Sequence, residues 1–173
     1  MKYSNPEVYI SAMDIQNKIA ELGRRISEDY KDGELTVVSI SNGAMLFTAD
    51  LVRAVTILMH LDSIMISSYA GTESSGNISL RSEFKLDLSG KDVLIVDEIL
   101  DSGNTLFYAR QKLLEQNPAS LKTCVLLNKQ ERRKVDVNAD YVGFEIPDLF
   151  VIGYGMDYKE YFRNLPYIGI YKS

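Results

Sequence analysis

Residues Val93 to Thr105, VLIVDEILDSGNT, constrain this chain more than any other stretch. Val93-Leu94-Ile95-Val96 is a run of four apolar residues that reads as a short strand buried on both faces. It runs directly into Asp97, Glu98 and Asp101, and a buried strand has no use for carboxylates at its end. In open parallel sheets, the crevice beyond the carboxyl ends of the strands is where ligands bind. The turn Asp101-Ser102-Gly103-Asn104-Thr105 then opens a helical pattern through Leu106, Ala109, Leu113 and Leu114, so its backbone N–H groups are placed to cradle a phosphate. Acid suited to a sugar or a metal, followed by amides suited to a phosphate, describes a ribose-phosphate pocket.

The 173 residues are 46% hydrophobic, enough for a full core, and predict a single domain over 1–173. No segment approaches the ~20 apolar residues that a membrane crossing requires. Met1 to Tyr9 lack a charged-then-apolar pattern, so no secretory signal is expected and the chain reads as cytoplasmic. The one cysteine, Cys124, sits in the apolar run Thr123 to Leu127 and reads as a buried structural thiol; it rules out an intrachain disulfide. One histidine, His60, leaves no His-based triad or metal cluster, and a structural role is expected for it. Nineteen basic against 24 acidic residues give a net charge of -5, which argues against a general nucleic-acid binder while leaving room for small phosphorylated ligands. No nucleic acid and no membrane is expected as a partner.

Ser11 reads as an N-cap, followed by Ile15, Ile19, Leu22 and Ile26 at helical spacing until Asp32-Gly33. Thr36 to Ile40 is a β-branched strand, Ser41-Asn42-Gly43 a tight turn, and Met45, Leu46, Ala49 and Val52 mark the next helix. Leu61 to Ser67 predicts a further strand, separated by a polar loop over Ala70 to Asn77 from Ile78-Ser79-Leu80. Asn117-Pro118 ends the helix that follows the opening motif, before a strand over Leu121 to Leu127. Tyr141 to Phe144 and Phe150 to Ile152 are short extended runs, and the late tyrosines 154, 158, 161, 167 and 171 read mostly as core or subunit-contact residues. Alternating strands and helices predict an α/β fold with a mainly parallel, doubly wound sheet.

With these elements in place, the chain resembles the type I phosphoribosyltransferases, and within them the hypoxanthine (or hypoxanthine-guanine) branch. The resemblance runs in order from about Val8 to the C-terminus through Ser67-Ser68-Tyr69, Asp101 to Thr105, Gly143-Phe144-Glu145-Ile146-Pro147-Asp148 and Gly153-Tyr154-Gly155-Met156-Asp157-Tyr158. It implies a sheet domain with a small hood formed by terminal segments, and a homodimer or homotetramer. It also implies transfer of the phosphoribosyl group from phosphoribosyl pyrophosphate to a 6-oxopurine base, giving IMP or GMP and pyrophosphate, with Mg²⁺ as cofactor.

On the same resemblance, Asp97 and Glu98 match the acidic pair that faces the ribose hydroxyls and the metal, with Asp157 as a second metal-site carboxylate. Asp101 matches the carboxylate beside purine N7, its other reading being a cap for the following helix. Asp101, Ser102, Gly103, Asn104 and Thr105 match the 5′-phosphate site. Lys129 matches the lysine that donates to the 6-oxo group, Phe150 the aromatic stacked on the base, and the Val151 backbone a contact to the base edge. Ser41, Asn42, Gly43 and Arg163 match the pyrophosphate contacts, the plainer reading of Arg163 and Asp157 being an ion pair on a last helical turn. Ser68 and Tyr69 match the start of a lid that excludes water.

Two departures stand out: Asn42 occupies a place where the family usually carries Lys or Arg, and Asp97-Glu98 reverses the usual order of the acidic pair. They motivate a second reading, a non-catalytic regulator that binds phosphoribosyl compounds or nucleotides on the same fold. No G-x-x-x-x-G-K-[ST] is present, which sets a Walker-type hydrolase aside.

Overall fold

A computed structural model describes residues 6–68, 78–81 and 84–172. Along the chain the elements are β1 (Glu7–Ile10), α1 (Ala12–Asp29), β2 (Leu35–Ser41), α2 (Met45–Ala54), β3 (Met59–Ser68), β4 (Ile78–Leu80), β5 (Asp92–Leu100), α3 (Asn104–Leu114), β6 (Ser120–Asn128), β7 (Tyr141–Glu145), β8 (Val151–Ile152) and β9 (Ile168–Ile170). Six strands form one sheet in the order β4-β3-β2-β5-β6-β7. All its pairings are parallel except that of the edge strand β4. The terminal segments supply a second, antiparallel sheet, β1-β9-β8, which is the hood.

β5 lies between two parallel neighbours, and Val93, Leu94, Ile95 and Val96 are all fully buried. The two-residue period of a strand divides them between two layers. Leu94 and Val96 join Ile15, Ile19, Leu22 and Ile26 of α1 and Phe47 and Leu51 of α2. Val93 and Ile95 pack with Leu106, Ala109 and Leu113 of α3. Burying a side chain of this kind stabilises by about 1.5–3 kcal/mol, so an acid could not replace any of the four without a partner. The acids of β5 therefore flank this run, Asp92 before it and Asp97 and Glu98 after it.

At the start of α1 the Ser11 hydroxyl accepts from the Asp14 N–H at 3.1 Å, and the buried stripe matches the predicted one. The inward face of α2 differs from the expected one. Ala44, Phe47, Thr48 and Leu51 are buried, while Met45 and Leu46 are exposed. Thr48 can lie inside because its hydroxyl is hydrogen-bonded to that of Ser39 at 2.8 Å. Leu114 is likewise exposed, at the end of α3. Cys124 is buried, as expected, and burial raises its thiol far above the ordinary value. Arg163 and Asp157 are not on a helix: their segment is built from turns and the isolated bridges Gly153↔Met156 and Tyr158↔Tyr161. Among the described residues, no helix is long and apolar enough to cross a membrane.

Candidate active site

The carboxyl ends of β2 and β5 and the hood loop after β8 enclose a cavity of about 480 Å³. Ser41, Asn42, Gly43, Asp97, Glu98, Thr105, Asp157 and Arg163 line it. A second cavity of about 210 Å³ is walled by Asp101, Lys129, Arg132, Phe150 and Val151, and shares Glu98 and Asp157 with the first. Most of the residues expected from the sequence are thus brought together. Ser68 closes β3, while Tyr69 lies outside the described residues.

Asp97 is buried, and its Oδ1 accepts from the Glu98 N–H at 3.0 Å. Burial, then the adjacent charge of Glu98, holds the Asp97 carboxyl well above the usual carboxylate range. Glu98 lies directly against Gly43, where an added Cβ would fall 1.8 Å from its Oε1. A Cβ on Gly155 would fall 2.0 Å from the Gly43 carbonyl oxygen. Three chain segments converge at distances only glycine permits. The acidic side chains offer oxygen donors only, the chemistry of a hard divalent cation. Among the described residues no three His, Cys, Asp or Glu side chains gather into a closed metal site, so Asp97, Glu98 and Asp157 share a cavity without forming one ligand shell. That fits Mg²⁺, which usually binds through one or two carboxylates and completes its shell with water and substrate oxygens.

Gly103 is the N-cap of α3, in a left-handed conformation at φ 85°. A side chain there would also strike Val137, 2.7 Å from its Cγ1. The side-chain acceptor at the start of α3 is the Ser102 hydroxyl, which takes the Asn104 N–H at a long 3.5 Å, and among the described residues no carboxylate accepts from the helix's first amides. The helix-cap reading of Asp101 therefore fails. Its Oδ1 is instead a buried acceptor with no hydrogen-bond donor among the described residues.

Lys129, just beyond β6, is almost fully buried. Its ammonium lies 3.5 Å from Asp101 Oδ2 and 3.7 Å from Asp148 Oδ1. Phe150 is 52% exposed and meets Tyr158 and Tyr171 edge-on, with centroids at 6.1 and 5.8 Å. Those two tyrosines stack at 4.2 Å. Of the late tyrosines, Tyr154 is core, donating to Asp50 at 2.6 Å, whereas Tyr158 and Tyr171 buttress the ring exposed to the site. Val151 is buried and pairs with Ile170 in the hood.

Arg133 is a site residue that the sequence reading missed. Its guanidinium donates to the carbonyls of Asp101 at 3.2 Å, Leu100 at 3.4 Å, Lys129 at 3.3 Å and Val137, and to Asn128 Oδ1 at 2.6 Å. Asn128 in turn donates to both Glu145 carboxylate oxygens at 3.0 Å. One side chain thereby ties the turn before α3 to the loop after β6. In the sequence Arg132 and Arg133 are adjacent within the charged stretch Glu131-Arg132-Arg133-Lys134, and nothing in its spacing marks one member as internal.

On the other side of the cleft, Asn42 is exposed and neutral. Arg163 is engaged with the protein itself: 2.7 Å to Asp157 Oδ1, 3.1 Å to Glu160 Oε2, and 2.7 Å to the Gly155 carbonyl.

Comparison with known proteins identifies the family and supports the fold. The family model described as the phosphoribosyl transferase domain matches residues 10–159. A hypoxanthine phosphoribosyltransferase of Salmonella typhimurium is 46% identical over 166 residues, covering 94% of this chain and 93% of the relative. A hypoxanthine-guanine phosphoribosyltransferase of Aquifex aeolicus is 48% identical over 155 residues, 88% of this chain and 87% of the relative. Among solved structures, a hypoxanthine-guanine phosphoribosyltransferase from Bacillus anthracis superposes with a TM-score of 0.91 at 38% identity, covering 98% of this chain and all of that one. A family model matched over most of the chain and relatives 46% and 48% identical over nearly their whole length agree, and the chain belongs to the phosphoribosyltransferase family.

Proposed function

We propose that this chain transfers the 5-phosphoribosyl group from phosphoribosyl pyrophosphate to hypoxanthine, and to guanine as well, forming IMP or GMP and pyrophosphate in purine salvage. The observation that carries the reading is the pair made by Asp101 and Lys129. A buried acceptor oxygen without a donor and a buried ammonium stand on one wall of the smaller cavity. The edge of a 6-oxopurine presents the complement, an oxygen at C6 beside an N–H at N7. Lys129 donates to the 6-oxo group and disfavours a 6-amino group, which would set donor against donor.

In the reaction, purine N9 forms a bond to the anomeric carbon as the carbon–oxygen bond to pyrophosphate breaks, its electron pair leaving with the pyrophosphate. Asp101 accepts the N7 proton as the base attacks. Phe150 covers one face of the purine and the Val151 backbone meets its edge. The amides and hydroxyls of Ser102 to Thr105 hold the 5′-phosphate at the start of α3, where no carboxylate competes for the amides. Ser41, Asn42, Gly43 and Arg163 hold the pyrophosphate, with Arg163 exchanging its ion pairs with Asp157 and Glu160 for phosphate oxygens. Glu98 and Asp157, with Asp97 behind them, are the residues that hold Mg²⁺, whose chemistry when bound is to neutralise charge on the leaving group. Ser68 and Tyr69 begin the lid.

Self-association as a homodimer or homotetramer belongs to the same proposal. It is supported by the exposed Met45, Leu46, Leu61 and Met65 of α2 and β3, and sedimentation analysis checks it. A cytoplasmic location is also part of the proposal. The regulator reading draws on Asn42 and the acid order alone, whereas Asp101 and Lys129 are disposed for turnover.

The test is incubation of the protein with Mg²⁺, phosphoribosyl pyrophosphate and each of hypoxanthine, guanine, xanthine and adenine. IMP formed with stoichiometric pyrophosphate is expected, with adenine a poor substrate. Binding of phosphoribosyl pyrophosphate without product from any 6-oxopurine would establish the regulator instead.

A further inference from the structure

Four charged side chains alternate in sign beside the smaller cavity. Lys129 Nζ faces Asp101 Oδ2 at 3.5 Å and Asp148 Oδ1 at 3.7 Å. Arg132 closes the figure, with Nε 3.8 Å from Asp101 Oδ1 and a terminal nitrogen 3.8 Å from Asp148 Oδ1. All four contacts are ion pairs at lengths beyond a good hydrogen bond, so no donor is locked to its partner. Arg132 also lines the cavity, and its side chain is 52% exposed, so its place there is not dictated by core packing.

The charges explain why a second cation is needed. Lys129 is asked to donate to a neutral carbonyl oxygen while two carboxylates lie within 4 Å of its ammonium. A lone ammonium between two carboxylates is held by them, and turning it to a neutral oxygen leaves their charge uncompensated in a partly desolvated site. With Arg132 present the group of four is neutral. Glu98 and Asp157 add further negative charge to the same cavity, and Glu131 lies near by, its carboxylate accepting from the Asp148 N–H at 3.4 Å. Among the described residues, Arg132 is the cation other than Lys129 that pairs with the carboxylate of Asp101 or Asp148; Arg133 reaches only the Asp101 backbone carbonyl.

We propose that Arg132 is a positioning residue of the base pocket, which takes over the charge of Asp101 and Asp148 and so releases the Lys129 ammonium to the purine oxygen. The proposal rests on the assignment of Lys129 and Asp101 made above. Its effect is confined to the base, because the contacts assigned to pyrophosphate lie in the other cavity.

The experiment is steady-state kinetics of the parent, Arg132→Gln, Arg132→Lys and the double variant Arg132→Gln with Asp148→Asn, measuring KM for hypoxanthine and for phosphoribosyl pyrophosphate separately. Arg132→Gln is expected to raise KM for hypoxanthine about tenfold, while KM for phosphoribosyl pyrophosphate stays within about twofold. Arg132→Lys restores most of the loss. Removing the Asp148 charge in the Arg132→Gln background returns KM for hypoxanthine to within about threefold of the parent, a rescue that a merely structural role would not produce. An unchanged KM for hypoxanthine in Arg132→Gln overturns the proposal, as does an equal rise in both KM values, or a double variant no better than the single one. A parent protein inactive on every 6-oxopurine would instead overturn the functional reading beneath it, so the two failures are distinguishable.

Discussion

The two halves of the cleft are built to different standards of readiness. On the side proposed for the base, Arg133 fastens the loops after β5 and β6 with five donated hydrogen bonds, Asp101 Oδ1 has no hydrogen-bond donor among the described residues, and Lys129 meets its two carboxylates only at 3.5 and 3.7 Å. On the side proposed for pyrophosphate, where Arg81 and Arg163 line the cavity, Arg163 is occupied by Asp157 and Glu160, and the turn after β2 offers the neutral Asn42. A binding group already held in place costs little to use, whereas one paired elsewhere must first be released. On the proposed assignments, the backbone of the base side is already fastened and its lysine only loosely paired, whereas the pyrophosphate side depends on breaking the closer Arg163 pairs and on a metal.

This contrast can be broken at either end. The largest expected effect is at Asp101: Asp101→Ala lowers kcat by about 10²–10⁴ while both KM values change little, as loss of a proton acceptor in the transition state requires. Pre-steady-state product formation checks it, and a rate near that of the parent would remove Asp101 from the chemistry. Next comes Lys129→Gln, which removes a charged donor worth about 1.5–3 kcal/mol, so kcat/KM for hypoxanthine falls about ten- to a hundredfold. Its KM for phosphoribosyl pyrophosphate should hardly move. Asn42→Lys sharpens the comparison from the deficient side: an added cation near the pyrophosphate lowers that KM about fivefold, equivalent to about 1 kcal/mol.

The smallest effect concerns stability. Asp97 has a raised carboxyl pKa in the folded, metal-free protein, so the native state holds its proton over a pH range in which the unfolded chain has lost it. Stability attributable to this group is greatest below the unfolded value of roughly 4 and falls as pH rises toward the folded value. Asp97→Asn removes that loss, and a Tm about 2–4 °C above the parent at pH 7.5, with the gain gone near pH 4, is expected by scanning calorimetry. The same variant should be a poorer enzyme, because the destabilising acid is placed for ligands.

How much of this was legible beforehand depended on distance along the chain. The strand, acids and phosphate turn of 93–105 are consecutive, and their chemistry could be read directly. The Arg133 bond to the Asp101 carbonyl spans 32 residues and depends on two loops meeting, which no local pattern records. Asp148 and Arg132 are similar: each looks like a surface charge until Lys129 is placed between carboxylates. The face of α2 was misread because apolar residues occupy both sides of its first turn: Phe47 and Leu51 turn inward, and the Ser39–Thr48 hydrogen bond lets the polar Thr48 join them. β1 and β9 were missed because a four-residue and a three-residue strand gain definition only by pairing with each other from opposite ends of the chain.

The contrast between the two halves is tested most directly by calorimetric titration of IMP and of phosphoribosyl pyrophosphate, each in excess Mg²⁺ and in excess chelator. IMP uses the prebuilt base and 5′-phosphate sites, and its Kd should change by less than about threefold; phosphoribosyl pyrophosphate should weaken by more than about tenfold without the cation. Equal metal dependence of the two ligands, or tight binding of phosphoribosyl pyrophosphate in chelator, would contradict it.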